Sequence, residues 1–541
     1  MFEVGKDILK NGFKSVGTES TSRSRIRIVY YIFVITFAIF IFRTLWIGIE
    51  GTNRTRLAGG DSTWNISRAD IVDRNGDILA KNVMSGNIVL RPTQVKDRDA
   101  VAMLIHTVLP SEYTVSDALR LINSSRSFIY LKKLANDNQL NQITKAKLPG
   151  LDIESIQNRV YPKQRLFSHI VGFVEQGGNG ADGAEKFFDS YLRENKDPLQ
   201  LSLDSRIQSV FYDQLSLAMQ KYQANSAMGM LINSRTGEII AIVSLPDYDP
   251  ENRNLDPTKN RMFMPMRGVF EMGSIFKIFN TAMAYENGID HEYYIAKPYK
   301  ILDKFGRTAA TISDISSFKP PRPNLSVAEI MLHSCNVGSA QIALDLPEGT
   351  QPEFFKRIHM DDALNLEFGR TEKPLWPAKW GPVEKATVAF GHGIAVTPMH
   401  VLLAVNSMIN GGIYIYPTLH KRGIGVVQGE RVISPEISSR LREIMFRIAE
   451  ETSGKQAKIP GIDIGGKTAT AEKRVNGKID KKKNLTAFVG AFPIEAPQYT
   501  ILIVLDEPKG TPETFGLRTA AWNAVPTAGK ILNDILPLLF N

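Results

Sequence analysis

The sequence predicts an α+β protein with a single N-terminal transmembrane helix, an extended non-catalytic domain over 50–205 and a larger domain over 206–541. Three observations lead to this prediction. Residues 28–49 are almost continuously apolar. The next region mixes short helical and strand-like patterns without a cluster of reactive side chains. In the last region, strand hairpins lie at both ends and helical patterns between them, which favours one antiparallel sheet covered by helices.

The apolar segment from Ile28 to Ile49 has 22 residues, enough to cross the hydrocarbon core of a bilayer. Its one charged residue, Arg43, lies near the far end, where the guanidinium can reach the headgroups. Basic residues outnumber acidic ones over 1–27, so we expect a cytoplasmic tail there and a periplasmic location for the rest, anchored in the inner membrane. The alternative is a cleaved signal peptide, but the apolar run is long and no A-x-A site follows it closely.

Composition excludes several classes of protein. Of the 541 residues, 43% are hydrophobic and 22% charged, which is typical of globular proteins. The net charge of +9 comes from scattered basic residues, and no zinc-ligand spacing or aromatic RNA-binding signature accompanies it, so we expect no nucleic-acid partner. A basic surface facing anionic lipid or wall polymer is the better interpretation. The single cysteine, Cys335, excludes an intramolecular disulfide.

In the non-catalytic domain, Arg68–Ala80 has the pattern of two short strands joined by a tight Asn-Gly turn. The segments with helical periodicity are Asp99–Leu109, Val115–Ile122, Thr144–Leu148 and Ala184–Leu192. Leu199–Leu203 alternates like a strand.

In the larger domain, Ala227–Ser244 has the pattern of a strand hairpin that opens the sheet. Further strands are predicted at Ile464–Thr470, Ala487–Phe492 and Thr500–Leu505. Helices are predicted at Ile207–Tyr222, 274–287, 326–345, 397–410 and Thr527–Leu538.

The most informative stretch is Glu271–Lys277, where a serine precedes a lysine by three positions. If a helix begins near Ser274, then Ser274 and Lys277 share one face of it. That spacing suits a nucleophile with an adjacent base. A lysine with an ordinary pKa near ~10.4 must lose about three units to act as a base near neutrality, and burial or a second cation can supply the shift.

Two further patterns carry suitable groups. Ser334-Cys335-Asn336 offers a hydroxyl that can relay a proton and an amide that can hold a substrate. Lys467 lies in the small-residue run 465–471, where a strand edge can present N–H groups to a substrate. Each pattern alone has an ordinary explanation, a common turn for the first and a β-bulge beside a surface lysine for the second.

Together and in this order, S-x-x-K, S-x-N and K-T-x-T are the signature set of penicillin-binding proteins and class A β-lactamases. On these motifs the chain resembles the class B penicillin-binding proteins, and most closely their septal, cell-division branch. Arg68–Ala80 resembles the pedestal motif of the family, and Gly391–Pro398 resembles another of its transpeptidase motifs. The resemblance implies a dimerisation-type pedestal domain over 50–205 and a transpeptidase domain, similar in fold to serine β-lactamases, over 206–541.

The resemblance also implies an activity, the cross-linking of peptidoglycan stem peptides by D,D-transpeptidation, with β-lactams as inhibitors that acylate the same serine. It requires no cofactor and no metal. The implied roles are as follows: Ser274 is the nucleophile, Lys277 its base, Ser334 a proton relay, Asn336 a holder of the stem amide, Lys467 the cation that attracts the terminal carboxylate and depresses the pKa of Lys277, and Thr468 and Thr470 contacts to that carboxylate.

The chain departs from the family pattern at three positions. Ala469 and Ala69 stand where glycine is usual, and Cys335 occupies the middle of S-x-N. The methyl group of Ala469 puts β-lactam acylation in doubt more than transpeptidation. Two alternatives therefore stay open, a β-lactamase or carboxypeptidase with the same motifs, and a catalytically weak β-lactam-binding scaffold or sensor of the division machinery.

Residues 50–205 lack the Glu-Asp-x-x-Phe-x-x-His signature of the glycosyltransferase domain in bifunctional relatives. The resemblance therefore implies a cross-linking enzyme that depends on a separate polymerase. We expect a multi-span membrane glycan polymerase to contact 28–49, alongside other division proteins, and lipid-linked precursor strands to supply the substrate.

Overall fold

The computed structural model describes residues 30–41, 43–44, 68–175, 177–315, 318–423, 427–475 and 478–540. Residues 1–65 and 66–541 form two separate units. In the first, residues 30–41 are helical, and the rest of the predicted anchor over 28–49 lies largely outside the described residues. Among the helices that the structure describes, none is both long and apolar enough to span a bilayer.

The smaller sheet of the second unit is built on the long strand Ile78–Leu90, which pairs antiparallel with Ile129–Ala135 and with Leu151–Val160. The predicted Asn-Gly hairpin is confirmed, because Ile71–Val72 pairs antiparallel with the start of the long strand. Ile71–Val72 also pairs in parallel with Leu199–Gln200. Helices Arg98–Val108, Val115–Ile122 and Asp137–Ala146 accompany this sheet, and their apolar faces join its side chains in one buried cluster.

A buried ionic network ties the start of this region to the short helix Gly183–Phe187. The Glu185 carboxylate is fully buried and accepts hydrogen bonds from Arg68 Nε at 2.6 Å and from Arg159 Nε at 2.7 Å. Arg68 also pairs with Asp189 at 2.6 Å. Since a buried carboxylate is stable only when paired, this arrangement fixes the relative positions of these segments.

The larger sheet has five antiparallel strands in the spatial order Gly465–Val475, Lys478–Phe492, Tyr499–Asp506, Ser226–Asn233 and Ile239–Leu245. The predicted strand hairpins at the two ends of the domain thus meet in one sheet. Gly465–Val475 is its edge strand, so one side of that strand is left unpaired by the rest of the sheet.

Alternation along the strands explains how helices cover both faces. Ile501, Ile503 and Leu505 pack in a cluster with side chains from helices Ser205–Lys221 and Ala524–Phe540. Leu502 and Val504 belong to a second cluster on the opposite face. The helices that contribute to this second cluster include Phe276–Glu286, Pro398–Ile409 and Pro435–Glu451.

The remaining elements surround this second face. They are helices Val327–Leu332, Asn336–Asp345, Thr350–Arg357 and Pro382–Val388, the hairpin of Tyr299–Leu302 with Thr308–Ile312, and the strand pair Glu292–Tyr294 with Asn324–Ser326.

Three predicted helices were wrong in their extent. The one predicted over Ala184–Leu192 is two short helices, Gly183–Phe187 and Asp189–Glu194. The helix predicted over 326–345 is broken in two, because Ser334 has a positive φ of 60° and the second helix begins only at Asn336. The helix predicted over Thr144–Leu148 instead runs from Asp137 to Ala146, starting from a capping box at Asn136 and ending at a left-handed Lys147.

Candidate active site

Ser274 lies in a 3₁₀ turn, Gly273–Ile275, that leads directly into the helix Phe276–Glu286. The predicted sharing of a face by Ser274 and Lys277 follows from this geometry. Lys277 Nζ donates a hydrogen bond of 2.9 Å to Ser274 Oγ. Nearly all of the helix is buried, and Lys277 is only 1% exposed. The nucleophile candidate and its amine are therefore in contact, with the amine shielded from water and Ser274 half-buried.

Ser334 and Asn336 come from the break between two helices, and both turn their side chains toward the same amine. Lys277 Nζ donates to Asn336 Oδ1 at 2.7 Å and approaches Ser334 Oγ at 3.4 Å. The left-handed backbone of Ser334 is sparsely populated for a residue other than glycine. Such strain is common where a side chain must be aimed at a reaction centre.

Lys467 reaches the same hydroxyl from the edge strand Gly465–Val475 of the larger sheet. Its Nζ donates to Ser334 Oγ at 3.0 Å and to the Thr468 carbonyl at 3.3 Å. The five predicted catalytic residues, Ser274, Lys277, Ser334, Asn336 and Lys467, are thus brought together in one hydrogen-bonded cluster.

Thr468 and Thr470 alternate with Lys467 along the edge strand, so their side chains point to the other face. Thr468 Oγ1 shares a hydrogen bond of 2.8 Å with Ser453 Oγ, and Thr470 Oγ1 accepts one of 3.0 Å from the Ala520 N–H. Their contact with a substrate carboxylate stays a prediction.

Of the two expected causes of a lowered pKa at Lys277, burial and a second cation, burial is the one that acts. Burial lowers the pKa of Lys277 to about 8, while the charge of Asp314 acts to raise it. The pKa of Lys467 is also lowered, first by burial and then by the charge of Lys277. Two ammonium groups that share one hydroxyl in a water-poor site repel each other, so the pair holds one proton more easily than two.

Sequence reasoning missed Asp314, which lies beyond the Tyr299–Ile312 hairpin and accepts the Asn336 N–H and the Cys335 Sγ–H. No local pattern marks Asp314.

Sequence reasoning also left the role of the Gly391–Pro398 motif open. Gly391 packs directly on Gly273, and the Gly393 N–H donates to Glu271 Oε1 at 3.0 Å. This motif therefore packs against the backbone that directly precedes Ser274 and helps to position it.

Two of the three departures from the family pattern, Ala469 and Cys335, are accommodated by packing. Ala469 is 4% exposed, pairs with Ala487 across the sheet and belongs to the apolar cluster around the helix that follows Ser274. Cys335 is fully buried in a neighbouring apolar cluster, as expected for a side chain directed away from the reactive groups.

The model of the penicillin-binding protein transpeptidase domain matches residues 227–533, more than half of the chain, and that of the penicillin-binding protein dimerisation domain matches 64–206. The chain is 31% identical to the probable peptidoglycan D,D-transpeptidase FtsI of Caulobacter vibrioides, over 87% of this chain and 81% of the relative. It is 27% identical to the peptidoglycan D,D-transpeptidase FtsI of Escherichia coli, over 87% of this chain and 83% of the relative. It is also 27% identical to stage V sporulation protein D of Bacillus subtilis, over 96% of this chain and 86% of the relative.

These matches extend over both folded regions, and the three motifs that suggested the resemblance meet in one site. The predicted family, its α+β fold and its serine-type enzyme class are confirmed. The chain belongs to the class B penicillin-binding proteins of the septal, FtsI-like type.

Proposed function

We propose that this protein cross-links the stem peptides of peptidoglycan at the division septum by D,D-transpeptidation, through an acyl-enzyme on Ser274. One observation carries the proposal. Hydrogen bonds run without a gap from Ser274 through Lys277 and Ser334 to Lys467, and these residues come from three distant parts of the chain. A nucleophile, a base, a relay hydroxyl and a cation for a carboxylate are the groups that acyl transfer from a D-Ala-D-Ala end requires.

Substrate binding prepares the base. The terminal carboxylate of the donor stem lies next to Lys467 and stabilises its protonated form. Ser334 Oγ lies 3.0 Å from Lys467 Nζ and 3.4 Å from Lys277 Nζ. It can therefore pass a proton from Lys277 to Lys467. Lys277 is then neutral and faces Ser274.

In acylation, Lys277 accepts the proton of Ser274 as Oγ attacks the carbonyl between the two D-alanines. The backbone N–H groups of Ser274 and Thr470 hold the oxyanion, a role taken from the family resemblance. Losing one such donor typically raises the barrier by ~3 kcal/mol. The resemblance also assigns Thr468 and Thr470 to the carboxylate, and their hydroxyls would exchange their bonds to Ser453 and the Ala520 N–H for it. Asn336 holds the stem amide while it orients Lys277.

Collapse of the tetrahedral intermediate breaks the C–N bond to the terminal D-alanine. Ser334 donates a proton to the departing amine and is reprotonated from Lys277. The amine of a neighbouring stem peptide then attacks the acyl-enzyme and gives a proton to Lys277. Lys277 passes a proton to Ser274 Oγ as the ester bond breaks, which releases Ser274 and leaves the cross-link. β-Lactams present the same carbonyl and carboxylate, so they acylate Ser274 in the same way.

The membrane arrangement is also a proposal. Residues 28–49 form a single-pass anchor in the inner membrane, 1–27 stay in the cytoplasm and the domain over 206–541 works in the periplasm. The support is the apolar length of the anchor and the excess of basic residues before it. A multi-span glycan polymerase next to the anchor supplies the strands, and imaging of a tagged copy in dividing cells tests the septal location.

The proposed activity is tested with the full chain, purified with its anchor, on nascent glycan strands that carry pentapeptide stems. We expect cross-linked muropeptides and one released D-alanine per cross-link, and neither with Ser274→Ala. D-Alanine released to water without cross-links would identify a carboxypeptidase. The absence of any covalent adduct on Ser274, either from the stem peptide or from penicillin, would instead favour the scaffold alternative.

A further inference from the structure

Asp314 enters the site from outside the three motifs. It lies two residues beyond the strand Thr308–Ile312, and its carboxylate faces the break between the helices that carry Ser334 and Asn336. Oδ1 accepts the Asn336 N–H, and Oδ2 accepts the Cys335 Sγ–H at 3.2 Å. Both bonds hold the turn between the two helices.

Asn336 is consequently bound at both ends. Its backbone N–H is held by Asp314, and its side-chain Oδ1 receives the 2.7 Å hydrogen bond from Lys277. The Cys335 sulfur accepts a further hydrogen bond from the Gly338 N–H at 3.2 Å. The negative charge of Asp314 also sits at the first turn of the helix Asn336–Asp345, where it is favourable.

The titratable groups that the described contacts place near Asp314 are the Cys335 thiol and the amines of Lys277 and Lys467. Burial raises the pKa of the Cys335 thiol to about 12, so it stays protonated and donates. Lys277 and Lys467 bring two amines into a water-poor site, and a carboxylate favours the protonated state of the amine closer to it. Asp314 contacts the residue that contacts Lys277, whereas Lys467 is reached through Ser334.

We propose that Asp314 is a positioning residue that fixes Asn336 against Lys277 and keeps the resting proton on Lys277 until a carboxylate-bearing substrate arrives at Lys467. The inference rests on the proposed function, because it assigns the free enzyme a resting state and the substrate complex a reactive one. Ser274 of the free enzyme is thereby paired with an ammonium group and is a weak nucleophile.

The test is the pH dependence of the second-order rate constant for acylation of Ser274 by a fluorescent penicillin, which reports groups of the free enzyme. The reactive free enzyme carries its proton on Lys277, so the rate falls as the pH rises through the pKa of Lys277. Removing the carboxylate lowers that pKa, so the falling limb of the profile moves to lower pH. For Asp314→Asn and Asp314→Ser we expect a downward shift on the order of one pH unit. Asp314→Glu retains the charge and should keep the wild-type midpoint at a lower rate.

Two matched controls separate charge from fold. Asp303→Asn removes a half-buried carboxylate from the same hairpin, where it pairs with Arg307, and should leave the midpoint unchanged. Cys335→Ser retains a donor to Asp314 and should do the same. Midpoints of Asp314→Asn and Asp314→Ser equal to wild type would overturn the proposal, as would a midpoint in Asp314→Glu that moves like that of a neutral variant. Failure of the wild-type protein to form an adduct on Ser274 at any pH would instead refute the proposed function itself.

Discussion

Gly391→Ala should damage acylation through a backbone contact, although residue 391 carries no reactive group. A Cβ atom at this position would lie 2.2 Å from the Gly273 carbonyl oxygen and 2.7 Å from the Gly273 nitrogen. Heavy atoms in contact lie about 3.5 Å apart, so one backbone must move by roughly 1 Å. The residue that moves, Gly273, directly precedes Ser274.

The magnitude follows from two separate effects. Gly391 has a φ of +80°, and an alanine in the left-handed region costs about 1–2 kcal/mol of stability. A misplacement of about 1 Å at a reacting group costs on the order of 100-fold in rate. Gly393 offers a matched control, because its φ is +79° but its Cβ would meet only Thr387 Oγ1, at an ordinary 3.6 Å.

The assay compares the acylation rate and the melting temperature of Gly391→Ala and Gly393→Ala. We expect similar losses of stability in both variants, a rate loss on the order of 100-fold in Gly391→Ala and a loss of only a few-fold in Gly393→Ala. Equal rate losses would refute the reasoning, since they would mean that the contact with Gly273 does not position Ser274.

Two further predictions concern the rest of the unit. Glu185→Gln leaves two buried arginines without their shared charge, so the melting temperature of the full chain should fall by roughly 5 °C or more, and an unchanged value would show that the network does not stabilise the fold. Ala469→Gly removes a buried methyl group and adds backbone freedom, which should cost about 1–2 kcal/mol of stability while penicillin labelling stays within a few-fold of wild type. Strong labelling of the variant and none of wild type would favour the scaffold alternative.

The sequence alone predicted the elements whose signals lie within one short stretch of the chain. Val115–Ile122 was predicted with its observed bounds, because its capping residue and apolar face are both local signals. The pairing of Ser274 with Lys277 also followed from spacing within one helix. The helix Pro435–Glu451 was missed although Ser434 and Pro435 provide a start signal that could have identified it.

What sequence could not predict depends on contacts between distant segments. The positive φ of Ser334, which breaks the predicted helix, is imposed by its surroundings and not by its residue type. Asp314 has no signature of its own and becomes part of the site only because the hairpin before it packs near Asn336. The pKa of Lys277 was expected to be lowered by burial and by the charge of Lys467, and in the folded chain burial is the cause that lowers it.

The most direct test of the account is the pH profile of adduct formation on Ser274, mapped by mass spectrometry after penicillin exposure. In the free enzyme Lys277 holds the proton that must move to Lys467 when the substrate carboxylate binds. The pKa of Lys277 is lowered to about 8, so the rate should fall as the pH rises through that value. Lys277→Met, with a side chain of similar length and no amine, should abolish the adduct. An adduct on another residue, or a rate on Ser274 that is independent of pH across this range, would contradict the account.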